Sequence, residues 1–161
     1  MDICPGFWEW LEVMREAGRV ASIKRVLGEL SDQDDSLSTW ASARDSWFLP
    51  DNDLMANSLP AITAWVYNQR WNSRDKYTLS ATAQFFSTVA ADLFLVAYAK
   101  GNGLTLVTQE APCNGPAQVK IPTVCNGVGV LCINLTDMLR AERVVMRTCA
   151  KTGCVSDCHR A

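Results

Sequence analysis

The stretch that decides the fold is residues 90–99, AADLFLVAYA, followed after a glycine-rich turn by residues 104–110, LTLVTQE. The first segment predicts a nearly all-apolar helix with one carboxylate, Asp92, at its start. The second predicts a short buried strand that leads into a hydroxyl, Thr108, and a carboxylate, Glu110. Carboxylates at the edge of a buried core are costly unless a partner neutralises them, and a divalent cation is a common partner.

The bulk composition predicts one soluble, folded domain. The chain has 161 residues, of which 48% are hydrophobic and 20% are charged, so a packed core is expected. A formal net charge of −2 gives no electrostatic signature of a general nucleic-acid binder, although brief contact with RNA is compatible with it. Because no apolar run approaches the roughly 18 residues of a membrane span and no signal-peptide pattern is present, we expect a cytoplasmic protein without membrane contact.

Helical patterns surround a few short apolar strands. Helices are predicted at residues 7–17, 23–30, 37–43, 54–68, 79–89 and 91–99, from Pro122 to Gly127 or Gly129, and from Asn134 or Thr136 to about Met146. Strands are predicted at 104–107 and 130–133, and Pro60 is expected to kink or divide its helix. Turns rather than hairpins join these elements, which indicates an α/β domain with a parallel sheet.

The carboxyl ends of parallel strands are where ligands collect in such domains. Glu110 follows a predicted strand, Asp92 begins the helix before that strand, and Thr108 adds a hydroxyl nearby. Glu29, on an otherwise apolar-faced helix, could complete the set. Hard oxygen ligands of this kind suit Mg²⁺ or Mn²⁺.

Each of these residues also has a plain structural interpretation. Asp92 could simply be a helix N-cap, and Glu110 a loop carboxylate. Glu29 alone is typical of a solvated helix residue, and Thr108 of a structural hydroxyl. The prediction of a metal site therefore depends on their joint placement at one edge.

Taken together, these motifs resemble the PIN-domain nucleases. The resemblance lies in Glu29 within RVLGEL (25–30), Asp92 within ADLFLVA (91–97), and Thr108-Gln109-Glu110 after an apolar strand. A prokaryotic subgroup is matched by PGFW (5–8), KIP (120–122), VC (124–125) and VLCIN (130–134). The resemblance runs from about residue 2 to 146, so we expect a PIN-like domain at 1–146 and a disordered, cysteine-rich tail at 147–161.

The resemblance implies a three-layer α/β/α fold and RNA cleavage that depends on Mg²⁺ or Mn²⁺. Glu29, Asp92 and Glu110 match the family's second, third and fourth acidic positions, and Thr108 matches the hydroxyl beside the last. Many such proteins are the toxin of a toxin–antitoxin pair and form homodimers. RNA, an antitoxin and a second copy are therefore the expected partners.

One feature of the PIN family has no counterpart in this sequence. The family opens with a central strand that ends in an Asp-Thr-Asn-like motif, whose Asp is the first metal ligand, and no such motif occurs here. We expect weak RNA cleavage by this chain, and recovery if an upstream strand of that kind were restored. The alternative is a non-catalytic, truncated PIN protein that binds a partner.

Two further groups of residues allow other functions. Cys149, Cys154, Cys158 and His159 could form a small zinc-binding module, although their spacing matches no standard structural zinc site. Arg70, Arg74 and Lys76 beside Trp71 could contact RNA, or could form an ordinary solvated loop.

Overall fold

The structure is a computed structural model that describes residues 4–69, 77–87, 90–113 and 115–145. Within these ranges, the structure contains eight α-helices and four very short strands. The helices are α1 (Pro5–Glu16), α2 (Lys24–Ser31), α3 (Ser36–Ser42), α4 (Asp53–Asn68), α5 (Leu79–Phe85), α6 (Asp92–Asn102), α7 (Ile121–Val128) and α8 (Leu135–Ala141). The strands are β1 (Ser22–Ile23), β2 (Phe48–Leu49), β3 (Leu106–Val107) and β4 (Cys132–Ile133).

The strands pair in parallel, which confirms the predicted α/β class. Strand β1 pairs with β2, and β3 pairs with β4, but the described residues form two separate two-stranded sheets rather than one. In the second sheet, the Leu106 and Thr108 amides donate to the Leu131 and Ile133 carbonyls at 2.9 and 3.0 Å. Two pairs of residues per sheet are too few for stability in water, so the strands depend on the helices packed around them.

The main core lies where α4, α6 and α7 pack together. Ile62, Val66, Val96 and Val124 are fully buried there. Glycine permits the closest of these contacts, because a Cβ at Gly101 of α6 would overlap the backbone of α4 at Leu54. A Cβ at Gly127 of α7 would likewise overlap the indole of Trp65.

A second, smaller core joins α2, α3 and β2 through Leu27, Ala41 and Phe48. Aromatic side chains extend it toward α1. Trp40 contacts Trp8 edge-on at 5.0 Å and Trp47 at 5.4 Å between ring centroids. Such pairs contribute beyond their buried area, so α1 is held on the domain although none of its residues is fully buried.

Several predicted element boundaries shift. The Asn52 side chain caps α4 by accepting a hydrogen bond from the Met55 amide, and Pro60 lies inside a continuous helix rather than dividing it. Helix α6 runs on through the predicted turn to Asn102, because the left-handed residue that ends it is Gly103, with φ 65°. Among the described residues, no helix is both long and apolar enough to cross a membrane.

Strands β1 and β2 lie outside the two strands predicted at 104–107 and 130–133. Ser22 belongs to β1, which leads directly into α2. Gly28 of α2 faces open space, since a Cβ placed there would meet no described atom within 4 Å beyond its chain neighbours and its own helix backbone.

Candidate active site

The three predicted acidic residues, Glu29, Asp92 and Glu110, line one pocket of about 250 Å³. They come from three separate parts of the chain. Lys120 also lines this pocket, as do the amide side chains of Gln84 and Gln118, on a floor that includes Phe85 and Val119. With three carboxylates and one ammonium, the lining carries two negative charges in excess.

Local structure places each carboxylate at this point. Asp92 is the first residue of α6, and Glu110 follows the carboxyl end of β3. Thr108 lies between β3 and Glu110, and its hydroxyl accepts a hydrogen bond from the Glu110 amide at 3.1 Å. Thr108 is not among the residues that line the pocket, so its contact with Glu110 is the role the structure shows.

Glu29 reaches the pocket from α2 and holds the start of α6. Its Oε1 accepts a hydrogen bond from the Ala91 amide at 2.6 Å. One turn earlier, the Arg25 guanidinium lies 3.5 Å from the ring centroid of Phe94. Arg25 also forms an ion pair with Asp51 at 2.7 Å. The contacts with Ala91 and Phe94 hold α2 against the first turn of α6 and thereby place Glu29 near Asp92.

Glu110 is bound at both oxygens. Lys120 Nζ lies 2.6 Å from Oε1, and the Ile121 amide donates to Oε2 at 3.0 Å. Ile121 is the first residue of α7, so Glu110 neutralises the partial positive charge at that helix end. Two helices, α6 and α7, thus begin at the pocket. At the start of each, a backbone amide donates a hydrogen bond to one of the pocket's carboxylates.

Asp92 differs from the other two carboxylates. Within the described parts of the chain, it has no hydrogen-bond donor and no ion-pair partner, and it does not cap α6. Burial raises the pKa of Asp92, and the charges of Glu110 and then Glu29 raise it further, while Lys120 opposes them. The N-cap interpretation of Asp92 is therefore wrong. Of the three carboxylates, that of Asp92 is the one without a partner in the part of the chain that the structure describes.

The carboxylate oxygens of the pocket are chemically suited to bind a hard divalent cation. Three carboxylates with excess negative charge are what Mg²⁺ or Mn²⁺ prefers. The described residues contain no group of three or more His, Cys, Asp or Glu side chains already spaced to hold a metal ion. Two of the three carboxylates, Glu29 and Glu110, are hydrogen-bonded to internal partners.

Lys120 is the site residue that sequence reasoning missed. It immediately precedes α7, and its side chain forms an ion pair with Glu110, which lies just beyond β3. A lysine beside a helix-opening Ile-Pro pair carries no local pattern that indicates a charge partner ten residues earlier.

Comparison with known protein families gives one match, to a model described as a domain of unknown function, DUF4411, over residues 1–146. The chain belongs to the DUF4411 family. The description of DUF4411 names no activity, so membership alone assigns no function. No curated protein and no solved structure matches the chain significantly. For this DUF4411 protein, function must therefore be argued from the pocket itself.

Two groups named in the sequence lie outside the described residues. They are the basic group Arg70, Arg74 and Lys76 beside Trp71, and the tail group Cys149, Cys154, Cys158 and His159. The interpretations of these groups as an RNA contact and a zinc module stay predictions.

Proposed function

We propose that this DUF4411 protein is a metal-dependent endoribonuclease of the PIN toxin type, with a PIN-like α/β/α fold. The observation that supports this proposal is the pocket shared by Glu29, Asp92 and Glu110. In the resemblance, these residues correspond to acidic positions of PIN nucleases, and they are 63 and 18 positions apart along the chain. Distant carboxylates brought to one pocket at an energetic cost favour a role in binding a cation.

Asp92 is the first candidate to hold the metal ion, because its carboxylate has no hydrogen-bond or ion-pair partner among the described residues and is repelled by its acidic neighbours. Glu110 and Glu29 would join it. When bound, Mg²⁺ or Mn²⁺ lowers the pKa of a water molecule and offsets charge on a phosphodiester.

The resemblance also guides the proposed partners. We propose RNA as the substrate, an antitoxin protein and a second copy of the chain as binding partners, and the cytoplasm as the site of action. Thr108 is proposed to assist by holding the Glu110 backbone in position, since that is the contact its hydroxyl makes.

The proposal is tested by RNA cleavage with the purified chain. Cleavage of a mixed-sequence RNA should require Mn²⁺. Asp92→Asn should abolish it, whereas Asp34→Asn, which removes an exposed charge away from the pocket, should not. Cleavage that persists in Asp92→Asn would contradict the proposal.

The alternative, a non-catalytic partner-binding protein, is favoured by one observation. Glu29 and Glu110 are already satisfied by the amides at the starts of α6 and α7, so two of the three carboxylates have structural roles without a metal. If Mn²⁺ produces no cleavage at all, this alternative becomes the better function.

A further inference from the structure

The Lys120 ammonium is paired with one carboxylate of the acidic pocket. It is 2.6 Å from Glu110 Oε1, and its charge also stabilises the ionised form of Asp92. Among the described residues that line the pocket, Lys120 is the one with a positive charge. The pocket therefore already contains a monovalent cation that belongs to the protein.

The two partners of Glu110 differ in how easily they can leave. The Ile121 amide is part of the backbone at the start of α7 and cannot move without disturbing that helix. The Lys120 side chain is 32% exposed and has four rotatable carbon–carbon bonds. Its ammonium can therefore leave Glu110 and be hydrated by solvent instead. A metal ion that uses Glu110 would therefore displace the lysine rather than the amide.

We propose that Lys120 is an internal counter-cation that competes with the divalent cation for Glu110. This proposal rests on the proposed function, because it presumes that a divalent cation binds the pocket. Lys120 holds the metal-free pocket together by offsetting part of the repulsion among its carboxylates. The same contact weakens metal binding, since the Lys120–Glu110 ion pair must break before Glu110 can bind a metal.

The test is the affinity of the whole chain for Mn²⁺, measured by titration calorimetry and by electron paramagnetic resonance of free Mn²⁺. Lys120→Met should bind Mn²⁺ about tenfold more tightly than the wild type, a change of ~1.4 kcal/mol. Lys120→Arg keeps the positive charge and should bind as the wild type does. Lys24→Met, which breaks the ion pair with Asp45 outside the pocket, is the matched control and should also be unchanged.

A second measurement needs no substitution. In the wild-type chain labelled with ¹⁵N-lysine, the Nζ resonance of Lys120 should shift on addition of diamagnetic Mg²⁺, while that of Lys24 should not. This measurement decides the question if Lys120→Met does not fold.

The outcomes separate the two proposals. If wild type and Lys120→Met bind Mn²⁺ equally, or if Lys120→Met binds more weakly, the competition is refuted and the ribonuclease proposal stands. A Lys120 resonance that does not change at saturating Mg²⁺ refutes the competition in the same way. If none of the four proteins binds Mn²⁺, both proposals fail.

Discussion

Replacement of Asp92 by Asn should stabilise the protein, although it removes the residue most suited to bind a metal. The pKa of Asp92 is raised above 3.8, first by burial and then by Glu110 and Glu29. Ionised Asp92 therefore costs folding free energy at pH 7. That cost is present in full above the folded pKa, declines as the pH falls through it, and is gone below 3.8.

The size of the effect follows from the charges in the pocket. Asp92→Asn removes a desolvation cost and two repulsions, and it loses one attraction to Lys120. Since interactions between partly exposed charges contribute up to about 1 kcal/mol each, we expect a net gain of about 1 kcal/mol. For a domain of this size, that corresponds to a rise in Tm of roughly 2–4 °C.

Glu110→Gln at the same pocket should have the opposite effect. It loses the ion pair with Lys120 and weakens the bond from the Ile121 amide, so the free energy of unfolding should fall by about 1–3 kcal/mol. Asp34→Asn is the control for loss of an exposed charge and should change stability by less than about 0.5 kcal/mol.

The assay is thermal unfolding followed by circular dichroism, from pH 7 down to pH 4. The advantage of Asp92→Asn should be largest at pH 7 and should shrink with acidification. Destabilisation by Asp92→Asn at pH 7 would refute the reasoning, because it would mean that the Asp92 carboxylate has a structural partner.

Three further predictions concern the framework that holds the pocket. Gly101→Ala should destabilise the protein by about 1–3 kcal/mol because its Cβ would meet the α4 backbone. Gly28→Ala has open space around it and should stabilise the protein by about 0.5–1 kcal/mol. Chemical denaturation measures both changes, and equal effects on the free energy of unfolding would contradict the packing described. Glu29→Gln should weaken the bond to the Ala91 amide and speed hydrogen exchange at the start of α6, with exchange in α8 as the internal control. Asn52→Ala should cost about 1 kcal/mol through loss of the α4 cap, and an unchanged Tm would contradict the role of the Asn52–Met55 bond.

The elements that could be predicted are those with strong local patterns. The apolar run in α6 indicates a helix, and the apolar residues around β3 indicate a strand. Both predictions succeed because the apolar residues of these segments include the ones that are buried in the structure. The end of α6 differs from the prediction because two glycines lie near it and only one of them ends the helix. Gly103 has the left-handed conformation that ends the helix, while Gly101 serves contact with α4, which no local pattern reveals.

The candidate site can likewise be predicted only in part from the sequence. Asp92 and Glu110 could be placed at one edge because each lies at the end of a local element. The partners of the carboxylates could not be predicted, since the Ala91 amide meets Glu29 across 62 residues and Lys120 returns to Glu110 through a loop. Tertiary contacts of that kind decide whether a carboxylate is free, and they leave no periodic signal in the sequence.

The most direct test of the account is an anomalous diffraction map of crystals soaked in Mn²⁺. We predict a peak bonded to the Asp92 carboxylate, with the Lys120 ammonium moved away from Glu110. A pocket without a Mn²⁺ peak, with Lys120 still paired to Glu110 at saturating metal, would contradict the claim that this pocket is a metal-dependent active site.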